Sequence, residues 1–341
     1  MTGQLEAGLR DRAERALRAR RSGTRLGELA PLPGGVSSLT YESVLDGEQR
    51  VVVKVAPPAL PPVRNRDVLR QARLLTALHR APGVHVPEVL ATDDGSPPLF
   101  VMSFVAGQAY EPKWDLSDAP PAPAVVRRRG LAAARMLADL QRVDPAAVGI
   151  GDEPALSLSQ ELERWSALYA TVGEELRGEE RALARALAER MPNPVPARIS
   201  HGDYRLGNMQ FDGERLAAII DWELWSVGDP RADLAWLMMF ANPVAQRVRA
   251  EWRDAANQAA AEAMPGSADV LAAFIDASST SQPPAGLVWF AALSAYKLGA
   301  AMAVLAKRNR RVPRPDPGLE LVAQTSPAML ADAVELLALD G

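Results

Sequence analysis

The sequence contains no cysteine and only three histidines, His79, His85 and His201, among its 341 residues. The absence of thiols excludes disulfide bonds and thiolate chemistry, and so few imidazoles argue against a zinc site. The formal net charge is −4, so the composition does not favour a nucleic-acid partner. Lysine is scarce as well: of 38 basic residues, four are lysine and 34 are arginine. Because arginine is the usual basic residue of this chain, the position of each lysine is informative.

No secretory signal opens the chain, and no uninterrupted apolar segment is long enough to span a membrane. The longest apolar run, residues 286–306, carries Lys297 at its centre, so we expect a buried helix there. Arginines within residues 10–21 alternate with acids and accompany an apolar helical stripe, which predicts an amphipathic helix packed on the protein. We therefore expect a cytoplasmic monomer or homodimer with neither a nucleic-acid nor a membrane partner.

Turn signals and apolar periodicity divide the chain into a small mixed region and a larger helical one. The small region has predicted strands at 39–45, 50–55 and 99–105 and a helix at 67–79. The larger region has predicted helices at 125–143, 158–176, 179–190, 250–263 and 327–339. The predicted fold class is α+β, with an N-terminal helix at 1–24, a small domain at 25–106 and a larger domain at 107–341.

The most informative motif places Asn208 five residues after Asp203, with Asp221 thirteen residues further on. The turn signal Asp212-Gly213 lies between two predicted strands, and a hairpin there would bring Asn208 and Asp221 to the same end. Their oxygens suit Mg²⁺, which keeps several waters and is completed by phosphate oxygens. The spacing of Asp203 and Asn208 matches the kinase catalytic loop, so the motif predicts phosphoryl transfer to a hydroxyl. Either residue alone could equally be a turn or cap residue.

Phosphate-binding residues are predicted in the small region. Lys54 interrupts a run of valines at 51–55, and a compact ammonium at a strand centre suits contact with nucleotide phosphates. The alternative is an outward-facing strand lysine. A glycine-serine loop precedes this strand, in which the backbone could approach phosphate and the hydroxyls could donate. The loop residues proposed to bind nucleotide are Gly34, Gly35, Ser37 and Ser38.

The adenine ring is expected at the end of the last strand of the small region. Backbone groups near Ser103 and Val105 could bond the ring, with Met102 against its face. A plain core strand would account for the same residues. No GxxxxGK[ST] motif occurs in the chain, so this is not a Walker-type nucleotide site.

These motifs together resemble the aminoglycoside phosphotransferase family, within the protein-kinase-like fold, over about residues 32–237. The residues that carry the resemblance are the glycine loop, Lys54, Met102, Gly107, His201-Gly202-Asp203, Asn208, Asp221-Trp222-Glu223, Gly228-Asp229-Pro230 and Asp233-Leu234-Ala235. The sequence of residues 201–208 is most similar to that of the branch that includes the kinase-like domains fused to some acyl-CoA dehydrogenases. The resemblance implies a two-lobed fold, with nucleotide bound by the N-lobe (25–106) and the acceptor by the C-lobe (107–341).

The resemblance also implies roles for individual residues. Asp203 would be the catalytic base or would orient the hydroxyl, Asn208 and Asp221 would bind Mg²⁺, and Lys54 would contact the nucleotide phosphates. The co-substrate would be ATP, with GTP as an alternative. Asp229 and Asp233 would mainly brace the catalytic loop and cap the next helix, and His201 would be structural, with its ring bonded to nearby backbone.

One departure from the family pattern concerns Gln71, which stands where relatives usually place a glutamate that pairs with the strand lysine. A carboxamide could accept a hydrogen bond from Lys54 but would form no ion pair, and charge-assisted bonds are roughly twice as strong. Asp67, one turn earlier, is a candidate substitute. On this interpretation Gln71→Glu would leave or raise turnover. The departure keeps open a second hypothesis, a nucleotide-binding pseudokinase that acts as a scaffold or regulator.

The acceptor is expected to be the hydroxyl of a small molecule, either aminoglycoside-like or another hydroxylated metabolite. Tyr204 and Arg205 are expected to protrude from the catalytic loop toward acceptor or phosphate. Trp222 could contribute a stacking wall or belong to the core, and Glu223 is an acid close to the motif. A protein kinase is disfavoured because no Ala-Pro-Glu segment follows Asp221.

Overall fold

The computed structural model describes residues 2–32, 38–58, 60–241, 253–278, 280 and 282–339. By its contacts the chain forms two compact units. The first unit comprises Met1–Gln108, Pro145–Asp152 and Asn208–Trp225, and the second comprises Ala109–Asp144, Glu153–Gly207 and Ser226–Gly341. Segment 208–225, which the sequence-based division places in the larger domain, thus belongs by its contacts to the unit that contains the small sheet.

The first unit contains a five-stranded antiparallel sheet with the strand order β1-β2-β3-β5-β4. Its strands are β1 (Ala30–Pro31), β2 (Leu39–Leu45), β3 (Gln49–Val55), β4 (Val89–Asp93) and β5 (Leu99–Ser103). The predicted β2–β3 hairpin is confirmed, and its turn uses positive φ at Asp46 (53°) and Gly47 (80°). The valines of β3 are buried in the centre of the sheet, where β-branched side chains pack well.

Two helices pack in the same unit. Helix α1 (Thr2–Arg20) buries Leu9, Ala13 and Leu17 in one apolar cluster with residues of β3 and β5, as its apolar stripe predicts. Helix α2 (Val68–Leu78) starts at Asp67, whose carboxylate accepts a hydrogen bond from the Arg70 N–H at 3.0 Å.

The predicted metal-binding hairpin is also part of the first unit. Strands β7 (Met209–Asp212) and β8 (Arg215–Ile219) pair antiparallel, with Met209 opposite Ile219 and a register shift after Gln210. Gly213 takes the positive φ of 59° that the tight turn requires. The hairpin expected from the Asp212-Gly213 signal is therefore confirmed.

The second unit is mainly helical. Its described helices are α3 (Pro123–Arg142), α4 (Leu158–Tyr169), α5 (Glu180–Glu189), α6 (Arg231–Ala241), α7 (Ala255–Glu262), α8 (Ser267–Ala277), α9 (Leu287–Asn309) and α10 (Pro317–Leu339). A two-stranded antiparallel sheet, β6 (Arg198–Ser200) with β9 (Ser226–Gly228), accompanies them. One apolar core of this unit lies among α4, α5, α9 and α10.

Three predicted helix boundaries in this unit differ from the structure. Helix α4 ends at Tyr169 rather than at 176, because Gly173 is extended and starts a separate 3₁₀ turn. Helix α10 begins ten residues before Pro327 and continues through it, although the sequence places the start at that proline. The segment predicted as helix 250–263 is described only from residue 253, and α7 occupies 255–262.

Within the described part of the chain, α9 alone is long and apolar enough to cross a membrane by length and composition. Of its most apolar 18 residues, 67% are buried inside the protein. The burial matches the core helix expected from the position of Lys297, which is itself 4% exposed.

Candidate active site

The hairpin brings Asn208 and Asp221 to the same end of β7 and β8. The Ile220 N–H donates to the Asn208 carbonyl at 2.9 Å, which extends the ladder by one pair beyond Met209 and Ile219. Asp221 is the next residue and has a φ of 61°, a left-handed conformation that is uncommon outside glycine. Backbone strain of this kind concentrates at functional sites, where the surrounding structure maintains it.

The donor atoms at this hairpin end fit Mg²⁺. A carboxylate and a carboxamide supply hard oxygens, and Mg²⁺ is commonly bound through one or two such side chains plus waters and phosphate oxygens. Among the described residues, no group of three or more histidine, aspartate or glutamate side chains could hold a metal by itself. A cation held by Asn208 and Asp221 would therefore depend on nucleotide phosphates to complete its coordination.

Lys54 lies beside this hairpin end within the same unit. It occupies β3 opposite Thr40 and Phe100, and its Nζ is 3.2 Å from Asp221 Oδ1. The lysine side chain is only 9% exposed, whereas that of Asp221 is 44% exposed. A buried ammonium needs a charged or hydrogen-bonding partner, and Asp221 provides it. This burial excludes the alternative of an outward-facing strand lysine.

Among the described residues, Gln71 makes no hydrogen bond with Lys54, so this part of the sequence-based interpretation is corrected. Its amide Nε2 donates to the Asn65 carbonyl at 3.1 Å, and the residue is 2% exposed. Asp67 does not replace the missing glutamate either, because its carboxylate caps α2. The ion pair of Lys54 is made with Asp221 instead.

The glycine-serine loop lies mostly outside the described residues, which exclude Gly34, Gly35 and Ser37. Ser38 is described and is 5% exposed. At the other predicted nucleotide contact, Met102 and Ser103 are half-buried on β5. The Ser103 N–H donates to the Glu88 carbonyl at 2.8 Å, so it is already engaged. Val105 makes no backbone hydrogen bond with any described residue and remains the candidate partner for the adenine ring.

Gly107 joins the end of β5 to the hairpin. Its φ is 150°, and a Cβ atom at this position would lie 2.9 Å from the Phe211 carbonyl oxygen. The next residue, Gln108, exchanges two backbone hydrogen bonds with Phe211, at 2.9 and 3.2 Å. Only glycine permits this close approach, which fixes β7 against the chain that leaves the sheet.

The catalytic loop, residues 201–207, belongs to the second unit and is braced by α6. Asp233 accepts hydrogen bonds from the backbone N–H groups of His201 (2.6 Å) and Gly202 (3.0 Å). Burial raises the pKa of Asp233, although His201 and these two N–H groups oppose the shift. The fully buried His201 ring accepts the Asp203 N–H at Nδ1, at 3.2 Å. The start of the loop is thus tied to α6 through two hydrogen bonds to Asp233, and a third hydrogen bond within the loop joins Asp203 to the His201 ring.

Asp229 makes a local ion pair at the start of the same helix. Its carboxylate is 2.6 Å from Arg231 Nη2 and also accepts the Arg231 N–H at 3.1 Å. Both side chains are almost fully buried, and the Arg231 guanidinium further donates to the Ala285 and Asn193 carbonyls. Asp229 therefore stabilises the entry into α6 and does not contact the loop.

Among the described residues of the second unit, Trp236 and Arg205 donate to the Asp203 carboxylate. The Trp236 indole N–H donates to Oδ1 at 2.9 Å, and Arg205 Nε lies 3.2 and 3.3 Å from Oδ1 and Oδ2. The Asp203 side chain remains 25% exposed. Trp236 was not predicted to touch the catalytic loop. The signal in the sequence was its spacing of three residues from Asp233, which places both on one face of α6.

Burial removes Tyr204 from the candidate acceptor contacts and places Trp222 in the core, the second of the two alternatives for that residue. Tyr204 is fully buried, its hydroxyl donates to the Ala133 carbonyl at 2.9 Å, and burial raises its pKa well above the usual value. Trp222 is 2% exposed and donates to the Ile219 carbonyl at 3.0 Å. Glu223, which follows it, is half-buried. Arg205 is 25% exposed and remains a candidate for contact with acceptor or phosphate.

Glu111 is a buried carboxylate behind Arg205 that the sequence did not reveal. Its Oε2 is 4.0 Å from Arg205 Nη1 and accepts the Gly207 N–H at 3.3 Å. Burial raises the pKa of Glu111 to about 7, partly offset by Arg205. Nearby Lys113 is 2% exposed, and burial lowers its pKa to about 8. Gly207 leaves room for the guanidinium, because a Cβ atom there would collide with Arg205.

The fold is the protein-kinase-like fold, of α+β class. Its defining features are a small antiparallel sheet with a buried strand lysine, a mainly helical unit, and a catalytic loop followed by a hairpin. The chain belongs to the APH family, the phosphotransferase enzyme family, whose model matches residues 28–274. The members of this family are phosphotransferase enzymes.

Curated relatives contain this region as part of a longer chain. The protein is 28% identical over 219 residues to acyl-CoA dehydrogenase family member 10 of Mus musculus, covering 61% of this chain and 20% of the relative. It is also 28% identical over 210 residues to the Arabidopsis thaliana protein named acyl-CoA dehydrogenase IBR3, covering 56% of this chain and 25% of the relative. The chain thus spans about a fifth to a quarter of these relatives. This agrees with the branch that the sequence of residues 201–208 indicates.

Solved structures share the fold over nearly the whole chain. A Ralstonia eutropha JMP134 protein provisionally assigned as an aminoglycoside phosphotransferase superposes with a TM-score of 0.69 at 22% identity, covering 99% of this chain and 98% of that one. Aminoglycoside phosphotransferase APH(4)-Ia, in a ternary complex with ADP and hygromycin B, gives a TM-score of 0.58 at 14% identity, covering 95% and 98%. Identities this low establish the fold alone.

Proposed function

We propose that the protein transfers the terminal phosphoryl group of ATP, together with Mg²⁺, to a hydroxyl group of a small molecule. The observation that carries the proposal is the hairpin end at which Asn208, Asp221 and Lys54 converge, with Lys54 Nζ 3.2 Å from Asp221 Oδ1. Two oxygen donors beside a buried ammonium suit a metal–triphosphate group. The metal cation and the Lys54 ammonium would each neutralise charge on the phosphate oxygens. ATP is favoured over GTP because structural relatives were solved with ADP and AMP-PNP.

In the proposed reaction Asn208 and Asp221 hold the cation, and Lys54 contacts the phosphates. Mg²⁺, when bound, would neutralise charge on the phosphate oxygens and keep them in place. Asp203 orients the acceptor hydroxyl and receives its proton as the oxygen attacks the terminal phosphorus. The bond from that phosphorus to the bridging oxygen breaks, and the nucleoside diphosphate leaves with the electron pair. Braced by Asp233, the loop holds the base in place for this step.

The second candidate, a nucleotide-binding pseudokinase, is favoured by one observation. Gln71 occupies the position of the usual glutamate and bonds Asn65 rather than Lys54. The ion pair of Lys54 with Asp221 weighs against this candidate, because it keeps the lysine beside a metal ligand without any help from α2.

Release of nucleoside diphosphate, measured for the full chain with ATP or GTP, tests the proposal. The assay is run with and without Mg²⁺ over a panel of hydroxyl acceptors that includes hygromycin B, the ligand of the APH(4)-Ia complex. We expect Mg²⁺-dependent ADP release that rises with a suitable acceptor and falls by about 10²–10⁴-fold in Asp203→Asn. Tight nucleotide binding without transfer to any acceptor, unchanged by Asp203→Asn, would instead support the pseudokinase.

A further inference from the structure

Trp236 connects the proposed base to a buried charged pair in the second unit. Its indole N–H donates to Asp203 Oδ1 at 2.9 Å, and the residue is 6% exposed. Buried indole N–H groups usually find an acceptor. The acceptor here is a carboxylate whose side chain is 25% exposed, in the loop that carries the proposed chemistry.

An ammonium group lies over the ring of Trp236. Lys297 Nζ, from the middle of α9, lies 5.2 Å from the centroid of the Trp236 ring and 5.4 Å from that of Trp165. Its counterion is Glu161, with 3.3 Å between Nζ and Oε1, and Trp165 donates its own N–H to the same oxygen at 2.9 Å. Lys297 is thus held between two indole rings by one carboxylate.

This buried pair is poorly explained by stability alone. Removing two charges from water is expensive, and apolar residues of similar volume often stabilise a core equally well. Burial opposes ionisation of Glu161, yet Lys297 and Arg164 hold its pKa below the usual value, so the pair stays charged. A fixed cation against the face of an indole draws electron density from the ring and makes the N–H a stronger donor.

The two donors to Asp203 differ in what they can provide. Arg205 is an ion-pair partner whose guanidinium also lies 4.0 Å from Glu111, so it is shared between two carboxylates. Trp236 is neutral and projects from a helix, so it can fix the carboxylate without cancelling its charge. A base requires both a defined orientation and a retained negative charge.

We propose that Trp236 is a positioning residue for phosphoryl transfer, which holds the Asp203 carboxylate through its indole N–H, and that Lys297, placed over the indole ring, reinforces this hydrogen bond. This inference rests on the proposed function, because it assigns Trp236 a role in the reaction that Asp203 performs.

Trp236→Phe tests the inference, because it removes the N–H and keeps an aromatic ring beside Phe240 and Lys297. Its matched control is Trp289→Phe in the same unit, where a buried indole N–H donates to the Leu187 carbonyl at 2.9 Å. Both variants lose one buried indole hydrogen bond, but only the first loses contact with Asp203. We expect kcat for ADP release to fall about tenfold or more in Trp236→Phe, with KM for ATP within about twofold of the native value. In Trp289→Phe kcat stays within about twofold of the native value. Equal losses in the two variants would overturn the positioning role.

A second readout does not depend on turnover. The Nε1–H signal of Trp236 in a ¹⁵N-labelled full chain, assigned by its loss in Trp236→Phe, is expected to move in Asp203→Asn, while the Trp289 signal does not. The signal should also move in the double variant Lys297→Met with Glu161→Gln, which removes both charges together and leaves no uncompensated ion. An unmoved Trp236 signal in Asp203→Asn would overturn the hydrogen bond. Failure of the native protein to turn over any nucleotide would overturn the proposed function and the role in transfer, even if the Trp236 signal moves in both variants.

Discussion

Asp221 combines a left-handed backbone with an ion pair to a buried lysine, and each property restricts what can replace it. Asparagine tolerates the left-handed region, whereas alanine there adds strain. Asp221→Asn therefore isolates the charge. Mg²⁺ should raise the affinity for ATP, and we expect Asp221→Asn to reduce this gain by at least about tenfold. Mutation of a residue that only supports a metal ligand already lowers metal affinity by about 10–100-fold. Titration calorimetry with and without Mg²⁺ measures this difference. Asp212→Asn, at the exposed turn of the same hairpin, should retain the full gain.

Gln71 shows how a structure can reverse an expectation drawn from sequence. Because its Nε2 donates to the Asn65 carbonyl, Gln71→Glu would place a buried carboxylate oxygen against that carbonyl. We expect the free energy of unfolding to fall by roughly 1–3 kcal/mol, rather than turnover to rise. Urea denaturation measures the change. Gln71→Met, which removes the donor without adding charge, should be less destabilising, and a stabilised Gln71→Glu would show that the carboxylate reaches Lys54 instead.

Residues could be placed from the sequence where a local rule fixes them, and not where a distant contact does. Asn208 and Asp221 were placed correctly at one hairpin end because the Asp212-Gly213 turn sets the register. The contact of Trp236 with Asp203 joins residues 33 positions apart and depends on how α6 packs. The burial of Tyr204 is equally non-local, since it rests on a bond to α3.

At the scale of elements, periodicity and turn chemistry identified the β2–β3 and β7–β8 hairpins and helices α2, α3 and α5. The ends of helices were harder to predict from the sequence. Pro327 is favourable at the first turn of a helix, and the sequence therefore placed the start of α10 there. In the structure α10 continues through this proline. The packing of Leu330, Ala333 and Leu337 in the apolar core among α4, α5, α9 and α10 outweighs the backbone hydrogen bond that proline cannot donate.

The connection between β5 and the hairpin depends on Gly107. A methyl group there would meet the Phe211 backbone at 2.9–3.1 Å, at a φ of 150° that other residues rarely adopt. We expect Gly107→Ala to lower the free energy of unfolding by about 1–3 kcal/mol through overpacking and to weaken ATP binding by displacing β7. Gly213→Ala is the control, because its φ is also positive but no atom lies within 4 Å of the new methyl group. Equal effects in thermal denaturation would mean that strain alone matters.

At the scale of the whole molecule, Glu111 should make the stability of the protein depend on pH. Its pKa is raised by burial from 4.5 to about 7, so the unfolded chain releases this proton at a lower pH than the folded one. The contribution of Glu111 to the free energy of unfolding is therefore fully present below about pH 4.5 and is lost as the pH rises through 7. The loss amounts to about 3 kcal/mol.

Glu111→Gln removes this titration. We expect the free energy of unfolding of the variant, relative to the native protein, to increase between pH 4.5 and pH 8, as measured by urea denaturation at several pH values. Glu320→Gln provides a control of opposite sign at lower pH, because Arg310 lowers the pKa of Glu320 and its contribution, constant above about pH 4.5, is lost as the pH falls further. A pH-independent difference for Glu111→Gln would show that Glu111 is ionised in the folded protein throughout this range.

The scarcity of lysine gives Lys54 a practical use in labelling. Of the four lysines, Lys54, Lys113 and Lys297 are buried and Lys307 is half-buried, so general amine-reactive reagents find few targets on this protein. An acyl-phosphate derivative of a nucleotide would bring its reactive group to one chosen amine. Mass spectrometry of the tryptic peptide that contains residue 54 would then report occupancy of the nucleotide site directly in a cell lysate, without knowledge of the acceptor.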